Sequence, residues 1–146
     1  MKRIEQPNSW SCLAAVACMV TGEKIRALHN HVGHDGSDLE HGSPFHDRRR
    51  GFRLLEISSY LASRGYLLGG VALRENCPEG ILQCDQVRFE YPVRTPAVLI
   101  VEGYRYNHAV LWTGHEVIDP APFISEKRAI SDYTLLQWWP LARVEG

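Results

Sequence analysis

Three observations in the sequence predict a single α+β domain. The first half carries apolar residues at helical spacing, and the second half carries short apolar runs separated by turn residues. Helices followed by antiparallel strands give an α+β arrangement rather than alternating parallel units. The chain has 146 residues, 45% hydrophobic and 23% charged, which fits one core of ordinary globular composition.

The segment from Cys12 to Thr21 predicts the first helix. Ser11 is placed to cap it and Gly22 to end it. Its apolar residues, Leu13 to Ala17 with Met19 and Val20, run nearly all the way round, so protein should enclose it. Glu23 to Asn30 is expected as a short second helix. Residues 31–50, "HVGHDGSDLEHGSPFHDRRR", read as a long polar surface loop with a role of its own. A third helix is expected from about Phe52 to Arg64, ending at Gly65.

Strands follow. "YLLGGVAL" (66–73) is the first, and a weaker one is expected within 81–89. "PAVLIVE" (96–102) is apolar throughout, as in a strand buried on both faces. "HAVLWTG" (108–114) and "HEVIDP" (115–120) predict a tight hairpin around Thr113-Gly114-His115. "TLLQWWPLARV" (134–144) is expected to form a short helix and a last strand.

The formal net charge is −1, with both signs interspersed. This gives no electrostatic reason for nucleic acid or an anionic membrane as partner. Arg48-Arg49-Arg50 follows Asp47 and reads as a solvated loop. No apolar stretch approaches the ~20 residues that span a bilayer, and the first residues are too polar for a signal peptide. A cytoplasmic protein is therefore expected, with Cys12, Cys18, Cys77 and Cys84 as free thiols.

Cys12 stands apart from the other thiols. A free thiol titrates near about 8.5, and the thiolate is the reactive form. A helix N-terminus stabilises that anion through its dipole and unpaired N–H groups. Cys12 has this position, whereas Cys18 lies in the middle of the same helix. A nucleophile also needs a base and a group to orient the base. His108 begins one strand of the predicted hairpin and Asp119 ends the other. A turn at 113–115 pairs position 108 with 119 or 120, and neighbouring strands lie about 4.8 Å apart. Asp119 can then hold one ring nitrogen while the other faces the thiol. Pro120 stops further pairing there. The Cys12 N–H and the Gln6 side-chain amide are candidate donors to a developing oxyanion.

Trp10 flanks the nucleophile and Trp112 lies on the His108 strand, so both are candidate cleft residues, although core packing is the default use of such side chains. His29, His31, His34, His41 and His46 cluster with Asp35, Asp38, Glu40 and Asp47. No zinc spacing fits them, so a solvated or substrate-contacting loop is expected, without metal or other cofactor.

Gln6, then Cys12 at the head of an apolar helix, then "HAV", then "DP" one hairpin later resembles the papain-like cysteine peptidases. The branch it is most similar to is the bacteriocin-processing peptidase domains, which cleave leader peptides after double glycine. "LAAVACMVTG", "GFRLLEISSYLASRGY", "PAVLIVEG", "HAVLWTGHEVIDP" and "SDYTLLQWW" extend the likeness in order over most of the chain. The resemblance implies a papain-like fold, with the Cys-bearing helix packed on an antiparallel sheet that carries His and Asp. It implies a peptidase in which Cys12 is the nucleophile, His108 the base, Asp119 the orienter and Gln6 an oxyanion donor. Leu13 stands where that branch usually has Gly, so the likeness carries the catalytic residues rather than the double-glycine specificity. A peptide or protein substrate is expected. A deamidase or transglutaminase-like enzyme on the same scaffold, or a non-catalytic binding module, are the alternatives.

Overall fold

The computed structural model describes residues 1–40, 48–69, 72–73, 95–103, 106–122 and 129–144, with 72 and 73 described by backbone alone. The weaker strand expected within 81–89 lies outside these residues. So do Cys77, Cys84, His41, His46 and Asp47.

Helix α1 runs Cys12–Thr21 and is buried from Leu13 to Val20, as its all-round apolar surface requires. Gly22 ends it in the left-handed region at φ +76° and donates its N–H to the Cys18 carbonyl. Helix α2 is Ile25–Val32 and α3 is Leu54–Ser63. Helix α2 is the short helix expected at Glu23 to Asn30, beginning and ending two residues later, so His31 and Val32 of the expected loop are helical. The described residues of that loop, 33–40 and 48–50, are more ordered than their polarity predicts. Residues 36–40 run antiparallel to 48–51: Gly51 N–H donates to Gly36, Arg50 to Asp38 and Glu40 to Arg48, and Leu39 bridges Arg49. Arg48 and Arg50 within it are paired with Glu40 and Glu56, so the arginine run is only partly a free solvated face.

Among the described residues six strands form one sheet. They are β1 (Tyr66–Leu68), β2 (Ala72–Leu73), β3 (Ala97–Val101), β4 (His108–Trp112), β5 (Val117–Ile118) and β6 (Leu135–Arg143). Their order is β1-β6-β3-β4-β5, with β2 also beside β6, and every pairing is antiparallel. The α+β expectation holds at this level. Two strand predictions are corrected. The 66–73 run is two strands, and its pairing with β6 shifts by one residue between Leu68↔Leu141 and Ala72↔Trp138. Gly69 follows the first of them, where an added Cβ would meet the Pro140 ring at 2.7 Å. The C-terminal segment has a 3-10 turn at Ile130–Asp132 and then one nine-residue strand in mid-sheet, with no helix after Thr134. Tandem Trp residues favour an extended chain, and Pro140 would break a helix.

The sheet is covered on both faces. On one, Val98, Ile100, Ala109 and Leu111 pack with α1, and with Ile57 and Leu61 of α3. On the other, Leu99, Val101, Val110, Trp112 and Val117 pack with Ile130 and Tyr133. This explains why the β3 run "AVLIV" has no polar side. It also corrects the reading of Trp112 as a cleft residue. Strand alternation sends it to the second core beside Val110, where it is 6% exposed. Among the described residues no helix is long and apolar enough to cross a membrane.

Candidate active site

The packing of α1 on β4 sets the N-terminus of the helix by the first residue of the strand. Cys12 opens the helix and is partly exposed; His108 opens the strand. The Cys12 thiol lies near enough to the His108 ring to favour the ring's protonated form.

Ser11 occupies the N-cap position but does not cap. Its hydroxyl donates to Asn8 Oδ1 at 2.5 Å, and no side chain accepts from the first-turn N–H groups. The expected Ser11 cap is thus corrected: the hydroxyl is committed to the approach segment. The consequence is electrostatic. With no side-chain oxygen neutralising it, the positive end of α1 remains directed at the position of the Cys12 sulfur.

His108 Nε2 meets Asp119 Oδ1 at 2.7 Å. This leaves Nδ1 as the ring nitrogen for the sulfur. The hairpin register differs from the predicted one. Leu111 pairs with Ile118 and Trp112 with Val117, around a turn closed by Thr113 N–H donating to the Glu116 carbonyl at 3.0 Å. Continued, that register would set His108 opposite Ala121 rather than 119 or 120. The carboxylate reaches the imidazole diagonally from one residue beyond β5, a span that side chains on one face can bridge.

Asp119 is 7% exposed and fully engaged. Oδ1 accepts from the Ala121 N–H at 2.9 Å as well as facing His108, and Oδ2 accepts from the Tyr133 hydroxyl at 2.6 Å. Arg3 holds the backbone around it, donating from Nε to the Asp119 carbonyl at 2.8 Å and from Nη2 to the Ala121 carbonyl at 2.7 Å. Neither Tyr133 nor Arg3 is legible as a site residue in the sequence. Both lie far from Asp119 along the chain, and neither stands in a recognisable motif.

Burial by itself would push the His108 imidazole down. The hydrogen bond to Asp119, followed by the hydrogen bond to Cys12 and the charges of both partners, outweighs it, and the group is raised to about 9. Burial would likewise push the Asp119 carboxyl up. Hydrogen bonds from His108, Tyr133 and the Ala121 N–H, with the charge of His108, overcome it and hold the carboxyl below the ordinary Asp range.

These shifts have opposite signs for stability. His108 is raised in the folded state, so its contribution is complete below pH ~6.5 and is lost as pH rises through about 9. Asp119 is lowered, so its contribution is present above pH ~3.9 and is lost on acidification through its folded value. Urea unfolding should therefore show the pair strongest between pH ~4 and ~6.5, with a loss on the order of 2–3 kcal/mol by pH ~9.5. The alkaline loss should be much smaller in Asp119→Asn. An equal alkaline slope in both proteins would show that the imidazole and carboxylate are not coupled.

Gln6 lies between the two halves of the site. Its backbone N–H donates to the Pro120 carbonyl at 2.8 Å, next to Asp119. Its Nε2 donates to the Asn8 carbonyl at 2.9 Å, in the bend that leads into α1. The carbonyl can only accept, so this contact orients the amide, and one Nε2 hydrogen remains beyond it. The side-chain oxygen is buried without a partner. Trp10 is half-buried, and its indole N–H donates to the Asp35 carbonyl at 3.1 Å.

Of the predicted histidine cluster, His29, His31 and His34 are among the described residues, and their rings engage Phe52, Glu56 and Ser59. His29 and His34 stack on Phe52, with ring centroids 5.8 Å and 5.2 Å away, and His34 faces Glu56 at 2.6 Å. His31 meets Ser59 at 3.1 Å. Among the described residues no group of three His, Cys, Asp or Glu could hold a metal ion.

A scan against protein-family models finds no match to this chain, and a search of curated proteins finds none either.

Proposed function

We propose that the chain is a cysteine peptidase of papain-like fold, similar to the bacteriocin-processing branch, and that it acts in the cytoplasm on a peptide or isopeptide bond of a protein substrate. The observation that carries this reading is the contact chain from Cys12 through His108 to Asp119, at the uncapped N-terminus of a helix. An inert cysteine needs no imidazole, and a structural histidine needs no thiol.

The proposed reaction is an acyl transfer through a thioester on Cys12. The Cys12 thiolate attacks the substrate carbonyl carbon, and the carbonyl electron pair moves to oxygen. The Cys12 N–H and the remaining Gln6 Nε2 hydrogen are the donors for that oxyanion. On collapse, the imidazolium at His108 gives its proton to the leaving amine, and a thioester stays on Cys12. Water, losing a proton to His108, attacks the thioester. The acid leaves and the thiol is restored. Asp119 keeps Nδ1 directed at the sulfur throughout by holding Nε2.

Mass spectrometry of a native lysate incubated with the protein tests the reaction. New peptide N-termini are the expected outcome. Glutamines heavier by 1 Da without new termini would replace hydrolysis of the chain with side-chain deamidation through the same thioester. No modification of either kind, in a protein whose Cys12 also fails to react with electrophiles, would leave a binding module.

A further inference from the structure

The ribbon between α2 and α3 sorts its charges by face. Antiparallel alternation puts Asp38, Glu40, Arg48 and Arg50 on one face and Leu39 with Arg49 on the other. On the first face the arginines are neutralised: Glu40 holds Arg48 at 2.7 Å, and Glu56 holds Arg50 at 3.2 Å. On the other face Arg49 stands opposite Leu39, and no carboxylate pairs with it among the described residues. Its guanidinium lies 5.6 Å from the centroid of the Trp10 ring and donates to the Ser37 carbonyl at 3.0 Å. Trp10 is two residues before Cys12.

The ribbon is fixed against this tryptophan. The indole N–H is bonded to Asp35, just before the ribbon. Gly36 and Gly51, at φ +77° and +62°, let the two ribbon strands close on it; a Cβ at Gly36 would lie 3.0 Å from Trp10 Cδ1 and one at Gly51 3.1 Å from the Trp10 carbonyl. Arg48 reaches the other flank of the site, 5.0 Å from the ring centroid of Tyr106, two residues before His108. The ribbon thus touches the neighbours of both the nucleophile and the base.

We infer that Arg49, seated on Trp10, is a specificity-determining residue that selects acidic peptides, those with Asp or Glu a few residues from the bond attacked. The inference rests on the acyl-transfer reading of Cys12. With Nη1 on the Ser37 carbonyl, the guanidinium still has its Nε and Nη2 N–H groups for a planar carboxylate, and its contact with Trp10 reduces the freedom lost when the carboxylate binds. Among the described residues the ribbon acids Asp38 and Glu40 do not compete for it, because they lie on the other face.

Two small electrophiles read the charge without a peptide. Iodoacetate is anionic and iodoacetamide neutral, and dividing their rates at Cys12 removes any change in the reactivity of the sulfur. In Arg49→Gln the iodoacetate-to-iodoacetamide ratio should fall about threefold at low ionic strength, the effect of one charge at roughly 7 Å in water, and the difference should vanish near 1 M salt. Arg49→Lys should keep the ratio. The side chain is exposed, so the substitutions leave the core intact. In the lysate, cleavage sites of the wild type should be enriched in Asp or Glu at one fixed position, and Arg49→Glu should move that preference to Lys or Arg. A Cys12 that reacts rapidly with an unchanged ratio in Arg49→Gln would overturn the inference and leave the peptidase reading standing. A Cys12 inert to both reagents would overturn the two together.

Discussion

Cys12→Ala should abolish turnover completely, and no other thiol should substitute for it. The different surroundings of Cys12 and Cys18 give the reason. Cys18 is fully buried, and burial, opposed by a hydrogen bond with Tyr60 and assisted by the charge of Glu23, pushes its thiol up to about 11. At pH 7.5 roughly one in 3,000 such groups is ionised, before any barrier to access is counted. Cys12 is partly exposed, close to His108 and placed at the positive end of α1. Iodoacetamide followed by peptide mapping should therefore modify Cys12 at least ~100 times faster than Cys18. His108→Ala should lower this rate and reduce kcat/KM by about 10³-fold or more, since the base and the proton donor are lost together. Equal labelling of the two cysteines, or full activity in Cys12→Ala, would remove the thiolate from the mechanism.

Asp119→Ala should cost both activity and stability. Three donors lose their acceptor at once: the His108 ring, the Tyr133 hydroxyl and the Ala121 N–H. All three meet at a carboxylate that is only 7% exposed, where water cannot readily replace it. Leaving buried polar groups unpaired is expected to cost about 3–5 kcal/mol in urea unfolding. The imidazole would lose its first stabilising partner, so burial would draw it down from about 9, and kcat/KM should fall on the order of 10³-fold. Asp119→Asn separates the two effects. It keeps the size and one acceptor, so the stability loss should be smaller while the orientation of the ring is still lost. An Asp119→Asn protein with unaltered kcat/KM would make Asp119 a structural residue of the hairpin end.

The parts of this fold legible in the sequence are those with local causes. Helix α1 is marked by an apolar run between Ser11 and Gly22, and β3 by five apolar residues with Pro96 before them. The hairpin of β4 and β5 is marked by Thr113-Gly114 between alternating segments, though its register is not: a turn centred one half-residue away changes which residues are opposite. The ribbon of residues 36–40 and 48–51 reads as loop because its ordering comes from Trp10, Phe52 and Glu56, which are distant in the chain or outside the segment. The same holds for the C-terminal strand, which becomes central only because β1, β2 and β3 all pair with it.

The candidate site divides along the same line. Position alone singles out Cys12 from Cys18, because a helix end has unpaired N–H groups and a helix middle does not. Position along a hairpin also brings His108 and Asp119 within reach. Only the folded chain could show that Tyr133 and Arg3 hold the carboxylate, that Ser11 leaves the helix end open, and that Trp112 belongs to the core. Those are contacts between segments with no shared periodicity, and they depend on where the sheet places each strand end. Helix and turn chemistry acts over a few residues and is written in them. Burial and hydrogen-bond partnership are properties of the packed molecule, and no single segment contains them.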